Sequence, residues 1–162
     1  MNTELQNFSP LSRIWVYQSS RPFDSAEQTQ IDAELKAFAK QWAAHNIQLK
    51  ATGFVAEGRI VILAVDETNA GASGCSIDTS VHFIQSLEKK YHCALFDRTI
   101  VNYFSDKGVE TVHLSELSAL YQKALIQDDT LVIDPLVQNK SDFETGFKIP
   151  LGKSWLHNFT TP

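Results

Sequence analysis

The chain has 162 residues, a formal net charge of −5 and a pI near 5.5, with 43% hydrophobic and 20% charged residues. That is ordinary globular composition, and the length suits one domain, residues 1–162, with a sizeable core. The only adjacent basic pair, Lys89 and Lys90, makes no basic stripe, which argues against nucleic acid or an anionic membrane as a partner. The longest apolar run, residues 60–65, is too short to span a bilayer.

The opening, MNTELQNFSP, lacks the charged and apolar regions of a signal peptide, and residues 1–12 read as a loose polar lead-in. Cys75 and Cys93 show no CxxC spacing and no disulfide-rich pattern, so the expected location is cytoplasmic, with free thiols. Residues 13–19, RIWVYQS, alternate and carry β-branched and aromatic side chains, which predicts a strand. Trp15 and Tyr17 share one side of it, as half of a core or as an oligomer surface. Pro22 ends the strand. Asp24 with Glu27, or Ser25 with Gln28, offers a capping box for a helix. Its apolar stripe is Ile31, Leu35, Phe38 and Trp42, and Asn46 after His45 marks its expected stop, with His45 as a C-terminal cation on the dipole.

Residues 48–56 and 59–66 predict a hairpin turned at Glu57 and Gly58. The run IVILAV does not alternate, as expected of a central strand covered on both faces. A helix is predicted from Ser76 to His92, with Ile77, Val81, Ile84, Leu87 and Tyr91 as its core stripe. Residues 99–104 and 109–114 predict a second hairpin around SDKG. Ser115 is placed to cap a third helix, residues 116–127, with Leu117, Leu120, Tyr121 and Ala124 inward. TLVID, residues 130–134, predicts a further strand. The irregular tail, residues 128–162, holds Phe143, Phe147, Trp155, Leu156 and Phe159, too much aromatic surface for disorder. It is expected to pack back on the domain as loop and edge structure. The fold class is therefore α+β: a ferredoxin-like βαββαβ core extended by a strand, a third helix and an aromatic tail. The sheet face away from the helices needs a cover, and the third helix, the aromatic tail or a second subunit forming a homodimer are the candidates to supply it.

The chemistry concentrates in GASGCSID, residues 71–78, between the central strand and the second helix. A phosphate loop needs a lysine that this segment lacks, so a nucleotide triphosphatase is not indicated. A glycine turn feeding a helix still exposes N–H groups that suit a small anion. Ser73, Gly74, Ser76 and Asp78 would form that ligand site, completed by Arg21 or Arg98. The alternative is a thiol-dependent enzyme with Cys75 as the catalytic nucleophile, because a thiol at a helix start has its thiolate stabilised. Cys75, Asp78 and His82 fall on one helical face, but Cys75 and His82 are two turns apart and the face points away from the core stripe. A base would have to come from elsewhere, such as His45 or His113. The five histidines, His45, His82, His92, His113 and His157, show no metal-ligand spacing, and no cofactor motif is present. The expectation is a binding or interaction protein with no metal and no cofactor.

The segments IWVYQSSRPF, FAKQWAAHNIQLKA, ILAVDETNAGASGCSIDTSVHF, LFDR and GKSWL together resemble a family of small Bacteroidetes proteins that often carry the name "ABC transporter ATPase". The resemblance spans residues 12–159. It implies a bacterial cytosolic protein of that family and brings no activity with it, since neither a Walker lysine nor an LSGGQ-type signature stands in this chain.

Overall fold

The computed structural model describes residues 3–162. In chain order its elements are β1 (Arg13–Gln18), α1 (Ser25–Gln41), β2 (Ala43–Ala44), β3 (Ile47–Gln48), β4 (Lys50–Ala56), β5 (Ile60–Asp66), α2 (Gly74–Tyr91), β6 (Ile100–Ser105), β7 (Gly108–His113), α3 (Leu117–Gln122), β8 (Leu131–Ile133), α4 (Lys140–Gly146) and β9 (Lys148–Pro150), with short 3-10 turns between them. This is a mixed α+β chain with antiparallel sheets. Its contacts divide it into two compact units, Met1–Phe96 with Leu136–Glu144, and Asp97–Pro135 with Thr145–Pro162.

The first unit is built around β5, which lies between β1 and β4 and is antiparallel to both. Strands β1 and β4 are therefore parallel, joined through α1 with β5 inserted between them, which is the split βαβ arrangement. A ferredoxin-like sheet would set the next strand, β6, beside β1, but β6 belongs to the second unit's sheet. The outer edge of β1 is instead met by the returning chain: Ile14 N–H donates to the Gln138 carbonyl at 3.0 Å, and Arg13 bridges to Asn139.

Every residue of β5 is buried, which is why its sequence does not alternate. Val61, Leu63 and Val65 face the α1 side chains Ile31, Leu35 and Phe38, Trp42 just beyond the helix, and the α2 side chains Ile84, Leu87 and Tyr91. Trp15 and Tyr17 pack against the same cluster, so the aromatic face of β1 is core. On the other face, Phe54 of β4 meets Phe143 of α4 edge-on at 6.2 Å. Part of that face is thus covered by the aromatic tail, one of the covers expected for it. Gly53 lets α1 approach β4 closely, since a Cβ there would lie 2.9 Å from Leu35 Cβ and 3.0 Å from Leu63 Cδ2.

Local signals settle some boundaries and tertiary ones settle others. Asp24 and Glu27 cap α1 reciprocally, Asp24 accepting the Glu27 N–H at 2.8 Å and Glu27 the Asp24 N–H at 3.0 Å. The helix ends at Gln41 rather than near Asn46. Trp42 turns extended and inward, and its indole N–H donates to the Ser76 carbonyl at 2.8 Å. His45 and Asn46, at φ 50° and 64°, then make the two-residue turn between β2 and β3, so His45 sits in a hairpin rather than on a helix end. The turn at Glu57 and Gly58 has the same left-handed pair, φ 53° and 68°. Helix α2 begins at Gly74, two residues before the predicted start. It buries Ser76, Ser80, Ile84, Leu87 and Tyr91, leaving Ile77 and Val81 half-buried. The two serines fit on this face because their hydroxyls are satisfied locally by the Ser73 and Ile77 carbonyls, at 2.8 and 2.6 Å.

The first unit also fixes residues expected to form a loose lead-in. Leu5 is fully buried. Asp66, at the end of β5, accepts the Ser9 N–H at 3.0 Å, the Thr68 N–H at 3.0 Å, the Thr68 hydroxyl at 2.6 Å and Lys50 Nζ at 3.1 Å.

The second unit is a four-stranded antiparallel sheet ordered β7-β6-β8-β9. Its core holds Val101, Tyr103, Leu117, Ile126, Val132, Leu151 and Leu156. The predicted third helix is shorter than its pattern, because Ala124 adopts a left-handed conformation (φ 56°) and α3 stops at Gln122. Its entry turn is capped by His113 and Glu116 in place of Ser115: His113 Nδ1 accepts the Ser115 N–H at 3.1 Å, and Glu116 accepts the His113 N–H at 2.7 Å. The aromatic tail is more ordered than loop. It contributes α4, β9 and two 3-10 turns, and it buries Phe143, Phe147, Leu151 and Leu156.

Candidate functional site

Residues 71–78 form the turn from β5 into α2, as expected, but the turn spends most of its donors on its own chain. Ser73 and Ser76 cap each other, with Ser73 N–H to Ser76 Oγ at 2.7 Å and Ser76 N–H to Ser73 Oγ at 3.2 Å. The Ala72 N–H donates to the Glu67 carboxylate at 2.9 Å, and Glu67 also lies 3.7 Å from Arg13. Of the first-turn amides, those of Gly74 and Cys75 remain. The position of a Cβ on Gly74 has nothing within 4 Å, so this is an open turn and not a cradle. Asp78 and His82 are exposed beside it.

Arg21, one of the two arginines expected to complete an anion site, is committed elsewhere in the first unit. Arg21 clasps Glu27 with both terminal nitrogens, at 2.9 and 2.8 Å, and donates to the Tyr91 carbonyl at the far end of α2. Gly74 and Tyr91 are the two ends of the 18-residue helix, about 25 Å apart at 1.5 Å per residue. Arg21 therefore serves as a cation on a helix C-terminus. The pair also holds the Glu27 carboxyl at about 2, chiefly through the Arg21 hydrogen bond. Arg98 is an exposed residue of the second unit.

The two thiols differ sharply. Cys75 is exposed in the first turn of α2. Cys93 is half-buried, and burial pushes its thiol up, against a weaker opposing pull from a hydrogen bond with Ser19. Iodoacetamide near neutral pH is therefore expected to label Cys75 about tenfold faster than Cys93. Mass-spectrometric counting of each cysteine checks this, with glutathione as the free-thiol reference. Equal labelling of the two would contradict the burial of Cys93.

A second constellation lies wholly in the second unit. A groove of about 370 Å³ is lined by Tyr121, Ala124, Ile126, Gln127, Asp128 and Asp129. Asp128 Oδ1 accepts the Tyr121 hydroxyl at 2.8 Å and lies 3.3 Å from His157 Nε2. The Tyr121 and His157 rings meet edge-on at 6.0 Å. The bond to Asp128 is also what raises the Tyr121 phenol above its usual value. The floor is rigid: Thr130 N–H donates to the Gln127 carbonyl at 3.0 Å, Gly152 N–H to the Asp128 carbonyl at 2.8 Å, and Leu151 N–H to the Thr130 carbonyl at 2.8 Å. A side chain at Gly152 would strike Asp128, whose Cβ lies 3.0 Å from a Cβ built there, so glycine lets the tail pass beneath the loop. Asp128 thus orients a phenol and an imidazole at the rim, two carboxylates face solvent, and Ile126 supplies an apolar base. Such a surface suits a small ligand that donates N–H bonds. Sequence spacing did not mark it, because Tyr121 read as a helix's inner face and His157 as a solitary histidine 29 residues beyond Asp128.

Among the described residues, no three histidine, cysteine, aspartate or glutamate side chains gather as a metal site, and no helix is long and apolar enough to cross a membrane. No protein-family model, curated protein or solved structure matches the chain.

Proposed function

We propose that this chain is a binding protein whose ligand seat is the groove of the second unit, and that the ligand is a small molecule carrying an ammonium or comparable N–H donor. The observation that carries the reading is the convergence of Tyr121 and His157 on Asp128 above that groove. Pre-oriented polar groups around a concave apolar patch are the usual makings of a small-molecule site. Titration with benzylammonium, followed through backbone amide resonances, tests it. The expected result is saturable shifts at Gln127 to Thr130, with affinity falling about tenfold in Asp128→Asn, as loss of one charge-assisted hydrogen bond implies. Absence of shifts at tens of millimolar, or shifts unchanged in the variant, would sink the reading.

The proposal keeps the class expected from the sequence, a cytoplasmic binding or interaction protein, and moves its seat. Kinship with the ferredoxin-like fold is proposed for β1, β5 and β4 with α1 and α2. Membership of the Bacteroidetes family is likewise proposed, from the quoted segments alone. A small anion on the Gly74 and Cys75 amides, and a homodimer, are kept as weaker proposals. The exposure of Cys75 favours one second reading, thiol chemistry, and alkylation no faster than glutathione would remove it.

A further inference from the structure

The two arginines near the end of β1 are opposites. Arg21 spends both terminal nitrogens on the Glu27 carboxylate and on the Pro22 and Tyr91 carbonyls, whereas the Arg59 Nε is buried with no acceptor. Arg59 immediately precedes β5 and is 6% exposed, and its Nε is sealed from solvent without a hydrogen-bond partner. Among the described residues no ion pair involves it. Burial lowers its pKa, with no charged neighbour contributing to the shift. A guanidinium does not escape this position by losing its proton, since it stays charged across the physiological range. An apolar side chain of similar length would fill the space without a stranded charge. A buried donor left unpaired in this way calls for an explanation in function.

The backbone holds Arg59 firmly. Its N–H donates to the Ala56 carbonyl at 3.2 Å, and its carbonyl accepts the Ser19 N–H at 2.9 Å. The two residues before it form the left-handed turn at Glu57 and Gly58. Ser19 alongside is itself fully buried. A cation fixed on a rigid strand start, desolvated in advance and lacking a carboxylate, is preorganised for an anion that supplies the missing acceptors.

We propose that Arg59 is the cation of a second ligand site, in the first unit, which binds a small oxyanion able to accept the guanidinium's N–H bonds, a carboxylate or a phosphate. The site is independent of the groove in the second unit, so failure of either leaves the other standing.

The test sets wild type against Arg59→Met, with sodium acetate, sodium phosphate and sodium chloride at equal ionic strength. Without oxyanion, Arg59→Met is expected to unfold at a higher temperature than wild type, because the stranded charge is gone. With acetate or phosphate at a hundredfold over Kd, wild type is expected to gain about 5–10 °C and the variant to gain nothing comparable. Whichever anion acts identifies the ligand as carboxylate or phosphate. General salting-in or salting-out acts on both proteins alike, and equal gains in the two overturn the proposal. The Arg59 Nε–H resonance of wild type gives a readout that needs no variant. It is expected to move downfield with the effective anion and to hold still in chloride, and its failure to move at tens of millimolar of both oxyanions also overturns the proposal.

Discussion

Replacing Trp42 with alanine is expected to remove about 3–5 kcal/mol of stability, the range for emptying a buried tryptophan site. For a chain of this size that lowers the unfolding midpoint by roughly 10 °C or more. Trp42 is 2% exposed, and its ring centroid lies 5.6 Å from that of Trp15 and 5.2 Å from that of Phe38. Its indole N–H is also the direct bond from the end of α1 to the first turn of α2, through the Ser76 carbonyl. The two contributions separate by substitution. Trp42→Phe keeps most of the ring and drops the bond, for an expected loss of about 1–2 kcal/mol. Urea unfolding of both variants checks the sizes. Amide exchange at Ser73 to Ser76 is expected to quicken in both, because that turn loses its tether. An alanine variant within about 1 kcal/mol of wild type would show that Trp42 does not join the two helices as described.

The second large effect belongs to Asp66. Its side chain is 5% exposed, and its two oxygens accept four hydrogen bonds, from two backbone amides, a hydroxyl and Lys50. The Thr68 hydroxyl is the main reason its carboxyl sits well below the usual range, with burial acting in the opposite sense and the Ser9 and Thr68 amides and Lys50 adding to the depression. Asp66→Ala leaves those donors without their acceptor and is expected to cost about 2–4 kcal/mol. The same group sets a pH dependence whose sign is fixed. A carboxyl whose pKa is depressed by folding stabilises the native state above its unfolded pKa, and that stability is lost as pH falls toward the folded value. Glu27, held at about 2 by Arg21, acts in the same sense. Wild type is therefore expected to hold its stability down to about pH 5 and to lose it progressively below about pH 4. Asp66→Ala should start lower and show a shallower acid limb. An unchanged limb in the variant would mean that Asp66 is not the group titrating.

What was legible in the sequence was what neighbouring residues decide among themselves. The capping box of Asp24 and Glu27, the turn at Glu57 and Gly58 and the unbroken apolar run of β5 are all local, and each stands where its pattern put it. The end of α1 was not legible, because a buried hydrogen bond to a residue 34 positions away draws Trp42 out of the helical path. The partition of the strands was not legible either: βαββαβ order describes the succession of elements and does not say that β6 leaves the first sheet. The candidate sites show the same divide. GASGCSID advertises itself as glycine and serine, but its donors close on one another. The groove draws Tyr121, Asp128 and His157 from separate elements. Arg59 is distinguished by a buried Nε without an acceptor, and a missing bond leaves no mark in a linear string.

The return of the chain along β1 sets a constraint on biosynthesis. Ile14 and Arg13 are met by Gln138 and Asn139, the Ser12 carbonyl by the Lys140 N–H, and the Phe8 carbonyl by Lys140 Nζ. The first unit is thus discontinuous, and the residues that close it are translated after most of the second. A nascent chain can pair β1, β5 and β4 early, yet it carries an open strand edge until Lys140 has left the ribosome. Through that interval the edge is a template for any other extended segment, including the same edge on a neighbouring nascent chain. The order of synthesis thus exposes the growing chain to mispairing before its last guard arrives.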